Sequence, residues 1–168
     1  MRAVADRLGV RHNTVRWHAD SKARLLELVS DELLADCARE PLPDDSRERV
    51  RTLARRCRTA MLSHRDGARL IAGVVTAERH TLRYADTVIA ALMAAGYSAH
   101  SAAWTHWTIF YLTLGIAQEQ QATEDQRSQL TPEKVPADKY PALAVALPYL
   151  DSDSFDERFE YALDLIVD

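Results

Sequence analysis

Residues 5–22 read ADRLGVRHNTVRWHADSK. Val4, Ala5 and Leu8 fall on one face of a helix over residues 2–8, and Gly9 follows, the residue that ends a helix in the left-handed conformation at no steric cost. A second short helix starts within a residue or two. It points Val15 inward and leaves Arg11, His12, Asn13, Thr14, Arg16 and His18 largely outside. Ala5 is small enough to let the two helices approach, Gly9 makes the sharp turn, and Val10 and Val15 are expected to lock the crossing, which is the helix-turn-helix layout. The outward side chains are donors suited to phosphate oxygens and base edges.

Charge separates this head from the rest. Residues 1–24 hold six Lys or Arg against two Asp, whereas the whole 168-residue chain carries a net charge of −4. The basic end is a polyanion footprint on an otherwise acidic protein. With 47% hydrophobic residues the chain can build one substantial core carrying a small appended module. Glycine is scarce and Ala, Leu, Arg and Glu dominate, so the expected class is all-α. Cys37 and Cys57 are too far apart for a CxxC motif and too few to staple a fold of this size; they read as free thiols in a reducing cytoplasm. The longest strongly apolar run, TIFYLTLGIA at 108–117, is about half of what a bilayer span needs. A cytoplasmic protein without a membrane partner is expected.

Beyond the head, Ser21 caps a helix whose stripe of Leu25, Leu26, Val29, Leu33 and Leu34 is expected to run to about Arg39. EPLPDDS at 40–46 breaks it, giving a head with connecting helix at 1–39 and a body at 45–168. The next helix buries Val50, Leu53, Ala54, Cys57, Ala60 and Met61 at three-and-four spacing, with an Arg-rich outer face. SHRDG interrupts, with Asp66 expected to cap a short apolar helix and His64 to stabilise the junction. Another helix runs from about Arg79 to the Gly96 stop. From Ser98 to about Gln121, Trp104, Trp107, Phe110, Tyr111, Leu114 and Ile116 point nearly all round one helix, so that helix must be covered on all sides. ATEDQRSQLTPEKVPADKYP at 122–141 lacks periodicity and reads as a loop. Two helices close the chain, the last opening on a capping box from Ser154 to Glu157.

The segments ADRLGV and NTVRWHADSKARLLEL resemble the turn, recognition helix and following helix of the tetracycline-repressor-like (TetR) family, and MLSHRDGARL and LTLGIAQEQQ resemble the tetracycline repressor's own subgroup. The resemblance covers most of the chain. It implies a homodimeric, one-component transcriptional repressor that leaves operator DNA when a small molecule enters the body. Family members carry a further helix ahead of this pair. Without it the inner face around Val4 and Leu8 is expected to be exposed and the head loose, since one buried side chain of that size contributes roughly 1.5–3 kcal/mol.

The resemblance places Arg11, His12, Asn13, Thr14 and Arg16 on the major groove and phosphates and Trp17, His18 and Lys22 on the backbone, with Arg2 at a position that reaches a base in relatives. The bland reading of the same residues is a solvated basic hairpin. The pocket positions of the family fall on Leu53, Cys57, Ile71, Val74, Val75, Thr87, Trp107, Phe110 and Tyr111. Tetracycline repressors chelate a drug-bound magnesium with a histidine and polar side chains, but here the matching positions are mostly apolar. A small apolar or aromatic effector is therefore expected, with no metal or cofactor. His106 is a candidate hydrogen-bond partner for it, against the blander reading of a satisfied histidine. The far faces of the aromatic helix and the final helix are expected to form a four-helix dimer seam, and Glu119 matches an acidic residue that approaches the partner's pocket in relatives. No HExxH, GxSxG or Gly-rich phosphate loop is present, so enzyme chemistry is not expected. The rival function is a dimeric helical small-molecule-binding protein that does not touch DNA.

Overall fold

A computed structural model describes residues 1–73, 77–122, 131, 133–150 and 154–168. Its secondary structure is entirely helical among the described residues. The head comprises α1 (Arg2–Leu8), α2 (His12–His18) and α3 (Lys22–Leu33). The body comprises α4 (Ser46–Leu62), α5 (Gly67–Ala72), α6 (Arg79–Ala94), α7 (Ala99–Ala122), α8 (Pro141–Leu150) and α9 (Phe155–Val167).

Local chemistry sets most boundaries. Gly9 sits at φ 65° and turns the chain from α1 toward α2. Side-chain oxygens start three helices by accepting an otherwise orphaned N–H: Ser21 from Arg24 at 3.0 Å, Asp45 from Glu48 at 2.8 Å and Ser154 from Glu157 at 3.1 Å. α6 stops at Gly96, and the next N–H, that of Tyr97, returns to the Leu92 carbonyl at 3.1 Å.

The core lies where α4 packs on α6 and α7, with α9 closing it from α7. Val50, Leu53, Ala54, Cys57 and Met61 of α4 are fully buried against Val88 and Leu92 of α6, Ile109 of α7 and Phe159 and Leu163 of α9. Each large side chain here contributes about 1.5–3 kcal/mol by leaving water. The Arg-rich face of α4 grips α9 rather than facing solvent alone: Arg51 pairs with Asp164 at 3.0 Å, Arg55 with Glu160 at 2.7 Å and Arg58 with Asp156 at 2.6 Å.

Three expectations are corrected. α3 ends at Leu33, and residues 34–38 form turns instead of continuing to Arg39. Val10 is 41% exposed, so the crossing of α1 and α2 is held by Ala5, Val15 and Ala19. Asp66 makes no capping hydrogen bond; it lies in the left-handed region at φ 60°, and the first turn of α5 is capped from α7, where Gln121 Oε1 accepts from Ala68 N at 3.2 Å. The Gln121 amide nitrogen also donates to the Met61 and His64 carbonyls, both at 2.9 Å, so the junction is clamped from a residue more than fifty positions away. In the single chain Trp104 and Tyr111 of α7 stand exposed. Gly67 explains the tightness of the junction, since a Cβ there would meet the Met61 carbonyl oxygen at 2.3 Å. Among the described residues no helix is long and apolar enough to cross a membrane.

Candidate functional site

The head turns its polar residues outward. Ala5, Val15 and Ala19 are buried, while Arg2, Arg11, Asn13, Thr14, Arg16, His18 and Lys22 are exposed and His12 is half-buried. Trp17 is 85% exposed and meets the His18 ring edge-on, with centroids 5.1 Å apart. None of these side chains turns into the body. The apolar Leu8 is 66% exposed, while Val4 is half-buried.

A cavity of about 350 Å³ opens in the body between α3, α5, α6 and α7. Ser30 and Leu34 form its α3 side, Ile71 and Ala72 its α5 side, Thr81, Leu82, Tyr84 and Ala85 its α6 side, and His106, Trp107, Phe110, Tyr111 and Leu114 its α7 side. The aromatic rings are mutually arranged: Trp107 meets Phe110 edge-on at 6.0 Å and stacks on Tyr111 at 5.4 Å. His106 is buried beside Tyr84, Trp107 and Phe110, and among the described residues it makes no hydrogen bond. Burial pushes its pKa below the ordinary histidine value, so the imidazole is held neutral, with one donor and one acceptor. The wall therefore offers aromatic faces and one amphoteric ring.

Of the pocket residues expected from sequence, Ile71, Trp107, Phe110 and Tyr111 meet on this wall. Leu53 and Cys57 do not: both are fully buried in the packing of α4, behind the wall. Thr87 also lies off the wall, its hydroxyl donating to the Arg83 carbonyl one turn back at 2.7 Å. Val74 and Val75 lie outside the described residues. Sequence reasoning missed Thr81, Tyr84 and Ala85, whose spacing with Val88 on one face of α6 was the available signal.

One buried carboxylate joins the cavity to the head. Asp31, on α3, accepts from the backbone N–H groups of His80 at 3.2 Å and Thr81 at 2.7 Å and from the Thr81 hydroxyl at 2.8 Å. It thus caps the N-terminus of α6, whose own N-cap residue Glu78 makes no side-chain capping bond. Glu78 instead pairs with Arg24 of α3. Burial raises the Asp31 pKa, but the bonds from Thr81 and His80 outweigh it and hold the carboxyl below its ordinary value. Thr81 is itself a wall residue, so α3 and the cavity share one hydrogen-bonded element.

Comparison with known proteins agrees with this arrangement. Residues 40–168 match the family model described as "Tetracyclin repressor-like, C-terminal domain". The chain is 34% identical to the tetracycline repressor protein class A from transposon 1721 of Escherichia coli over 172 aligned positions, spanning 99% of this chain and 78% of that protein. Among solved structures it resembles the Streptomyces coelicolor TetR family protein ActR in complex with actinorhodin, with TM-score 0.84, 25% identity and coverage of 99% of this chain and 84% of that one. It also resembles BioQ with its double-stranded DNA operator, with TM-score 0.62, 29% identity and coverage of 75% and 77%. The chain belongs to the tetracycline-repressor (TetR) family, whose members are transcriptional regulators and not enzymes.

Proposed function

We propose that the chain is a one-component repressor: a homodimer that binds operator DNA through the outward face of α1 and α2 and releases it when a small apolar or aromatic molecule occupies the α3–α5–α6–α7 cavity. The observation that carries this reading is the Asp31 cap, because the lever leading to the head and the wall of the cavity are bonded to the same carboxylate. ActR with actinorhodin and BioQ with its operator, both similar to this chain, are seen with an organic ligand and with DNA respectively, which supports the two halves of the proposal. Exposed apolar side chains on α7 and α9, Trp104, Tyr161 and Leu165 among them, support pairing with a second copy through those helices.

An effector shifts such an equilibrium only by its differential affinity for the two head positions. Material packed against Trp107, Phe110 and Tyr111 and hydrogen-bonded to His106 presses on the α6 turn that Asp31 caps, and displacement of that turn is passed to α3. The apolar wall favours a planar aromatic molecule carrying one hydroxyl or carbonyl for His106 over a metal chelate.

The test is a gel-shift titration with duplex DNA taken upstream of the protein's own gene, followed by challenge with a panel of planar phenols and quinones. Specific, salt-sensitive binding relieved by a panel member is expected. Retained binding of panel compounds with no DNA affinity at any salt would favour the non-DNA-binding carrier instead.

A further inference from the structure

The lining of the body cavity includes two buried polar side chains that have no hydrogen-bond partner among the described residues. Ser30, on α3, is 2% exposed, and its hydroxyl does not even use the carbonyl one turn back, the usual outlet for a serine inside a helix. His106, on α7, is 8% exposed and is likewise unbonded. Buried hydroxyls and imidazoles ordinarily have a partner. Both residues line the same cavity of about 350 Å³, so a molecule bound there can supply it.

The rest of the lining narrows what that molecule is. Among the described residues it carries no Asp, Glu, Lys or Arg, so an ionised ligand would leave water with no opposite charge to meet. The Thr81 hydroxyl already donates to Asp31. The α7 wall is aromatic around Trp107 and Phe110, which favours a flat ring system. The two polar groups also stand on elements with different duties. α7 packs on α4, α5, α6 and α9 and belongs to the body, whereas α3 leads to the head and packs on α5 and α6. Ser30 immediately precedes Asp31, so consecutive residues of α3 line the cavity and cap α6.

We propose that Ser30 and His106 are the two polar ends of one binding site, whose ligand is an uncharged aromatic molecule with a hydroxyl or carbonyl at each end that ties α3 to α7. The proposal rests on the reading of this cavity as the effector site and deepens it. The serine hydroxyl and the imidazole each offer one donor and an acceptor, so hydroxyl and carbonyl ends both find a match. The tie gives the ligand a direct hold on α3, beside the indirect one through the α6 cap. A molecule with one polar end fills the cavity and bonds only one of the two helices.

The experiment titrates the full chain by isothermal calorimetry with four probes of one ring system: naphthalene, naphthol, the naphthalenediol hydroxylated at both ends of its long axis, and naphthoate. The diol is expected to bind about 3- to 10-fold more tightly than naphthol, and naphthoate more weakly than naphthol. Ser30→Ala is expected to abolish the diol's advantage and to leave naphthalene affinity unchanged. Because that substitution removes no hydrogen bond of the fold and raises helix propensity, its melting temperature is expected to equal or exceed that of the wild type. His106→Phe is expected to cost the diol a similar factor, and the double variant to bind diol and naphthalene alike. Hydrogen exchange over residues 22–33 is expected to slow with bound diol, not with naphthalene, and not in Ser30→Ala. A diol advantage that survives Ser30→Ala, naphthoate binding as tight as that of the diol, or α3 exchange unmoved by bound diol would each overturn the proposal. Neutral probes that bind with no advantage for the diol overturn it too and leave the aromatic-effector reading of the cavity standing; if no neutral probe binds, that reading falls and the proposal with it.

Discussion

Lys22 and Asn13 separate the two ways in which the head is proposed to hold DNA. Both are exposed, and among the described residues neither side chain makes a hydrogen bond or ion pair within the protein, so replacing either by alanine removes no contact that supports the fold. Lys22 at the start of α3 is a charge for a phosphate; Asn13 on α2 is neutral and suited to a base edge. Each neutralised phosphate contributes about −0.9 to the slope of log affinity against log salt. In a homodimer Lys22→Ala removes two such contacts, so the slope flattens by about 1.8, and the variant's deficit shrinks roughly 3.5-fold for each doubling of salt. Asn13→Ala instead costs about 1–3 kcal/mol at each half-site where the pairing is good, along a line parallel to that of the wild type. Fluorescence anisotropy on a labelled operator duplex across a series of potassium chloride concentrations measures both slopes. A Lys22→Ala line parallel to the wild type, or an Asn13→Ala line that flattens, would refute the assignment of charge to backbone and amide to base.

Three further outcomes follow from the cavity and the residues around it. Leu53→Ala, at a site with no solvent exposure, is expected to cost about 3 kcal/mol by urea denaturation, whereas Trp107→Ala, on the cavity wall and half exposed, costs clearly less; equal losses would return Leu53 to the wall. Asp31→Ala strands two backbone N–H groups and a hydroxyl and is expected to cost about 2 kcal/mol. Because the folded Asp31 pKa is lowered, that contribution is present above the ordinary carboxyl value of about 4 and is lost as pH falls through the folded one, so the wild type and the variant converge in acid. His106 has the same sign with a basic group: its pKa is lowered by burial, so its neutral form stabilises the fold fully above about pH 6.5, and that contribution is lost as pH falls through the folded value. The stability of the wild type relative to His106→Phe is then flat above that pH and declines below it by no more than about 1.4 kcal/mol per pH unit; a flat difference throughout would show that burial does not act on this ring.

The features legible in the sequence are those encoded within one or two helical turns. Gly9, the Ser21 and Ser154 caps and the buried stripe of α4 are each set by neighbours three or four positions away, and all are found where the spacing puts them. The misplaced features depend on distant residues. Asp66 has the chemistry of a cap, but the left-handed turn forced by Gly67 against Met61 takes its side chain away, and Gln121 supplies the bond from another helix. Leu53 and Cys57, which the resemblance assigns to the pocket, are fully buried and off the lining of the cavity, whose α6 side is Thr81, Leu82, Tyr84 and Ala85. Asp31 gave no signal at all: an acid in the middle of a helix reads as a solvated one until α6 arrives without a capping side chain of its own. That absence has a mechanical consequence. A cap supplied by the helix's own N-cap residue would let α6 move independently of the head, whereas a cap supplied by α3 obliges the two to move together or break three part-buried hydrogen bonds. On the proposed reading, the coupling between cavity and head runs through a tertiary bond at a helix start whose own N-cap side chain makes no capping bond.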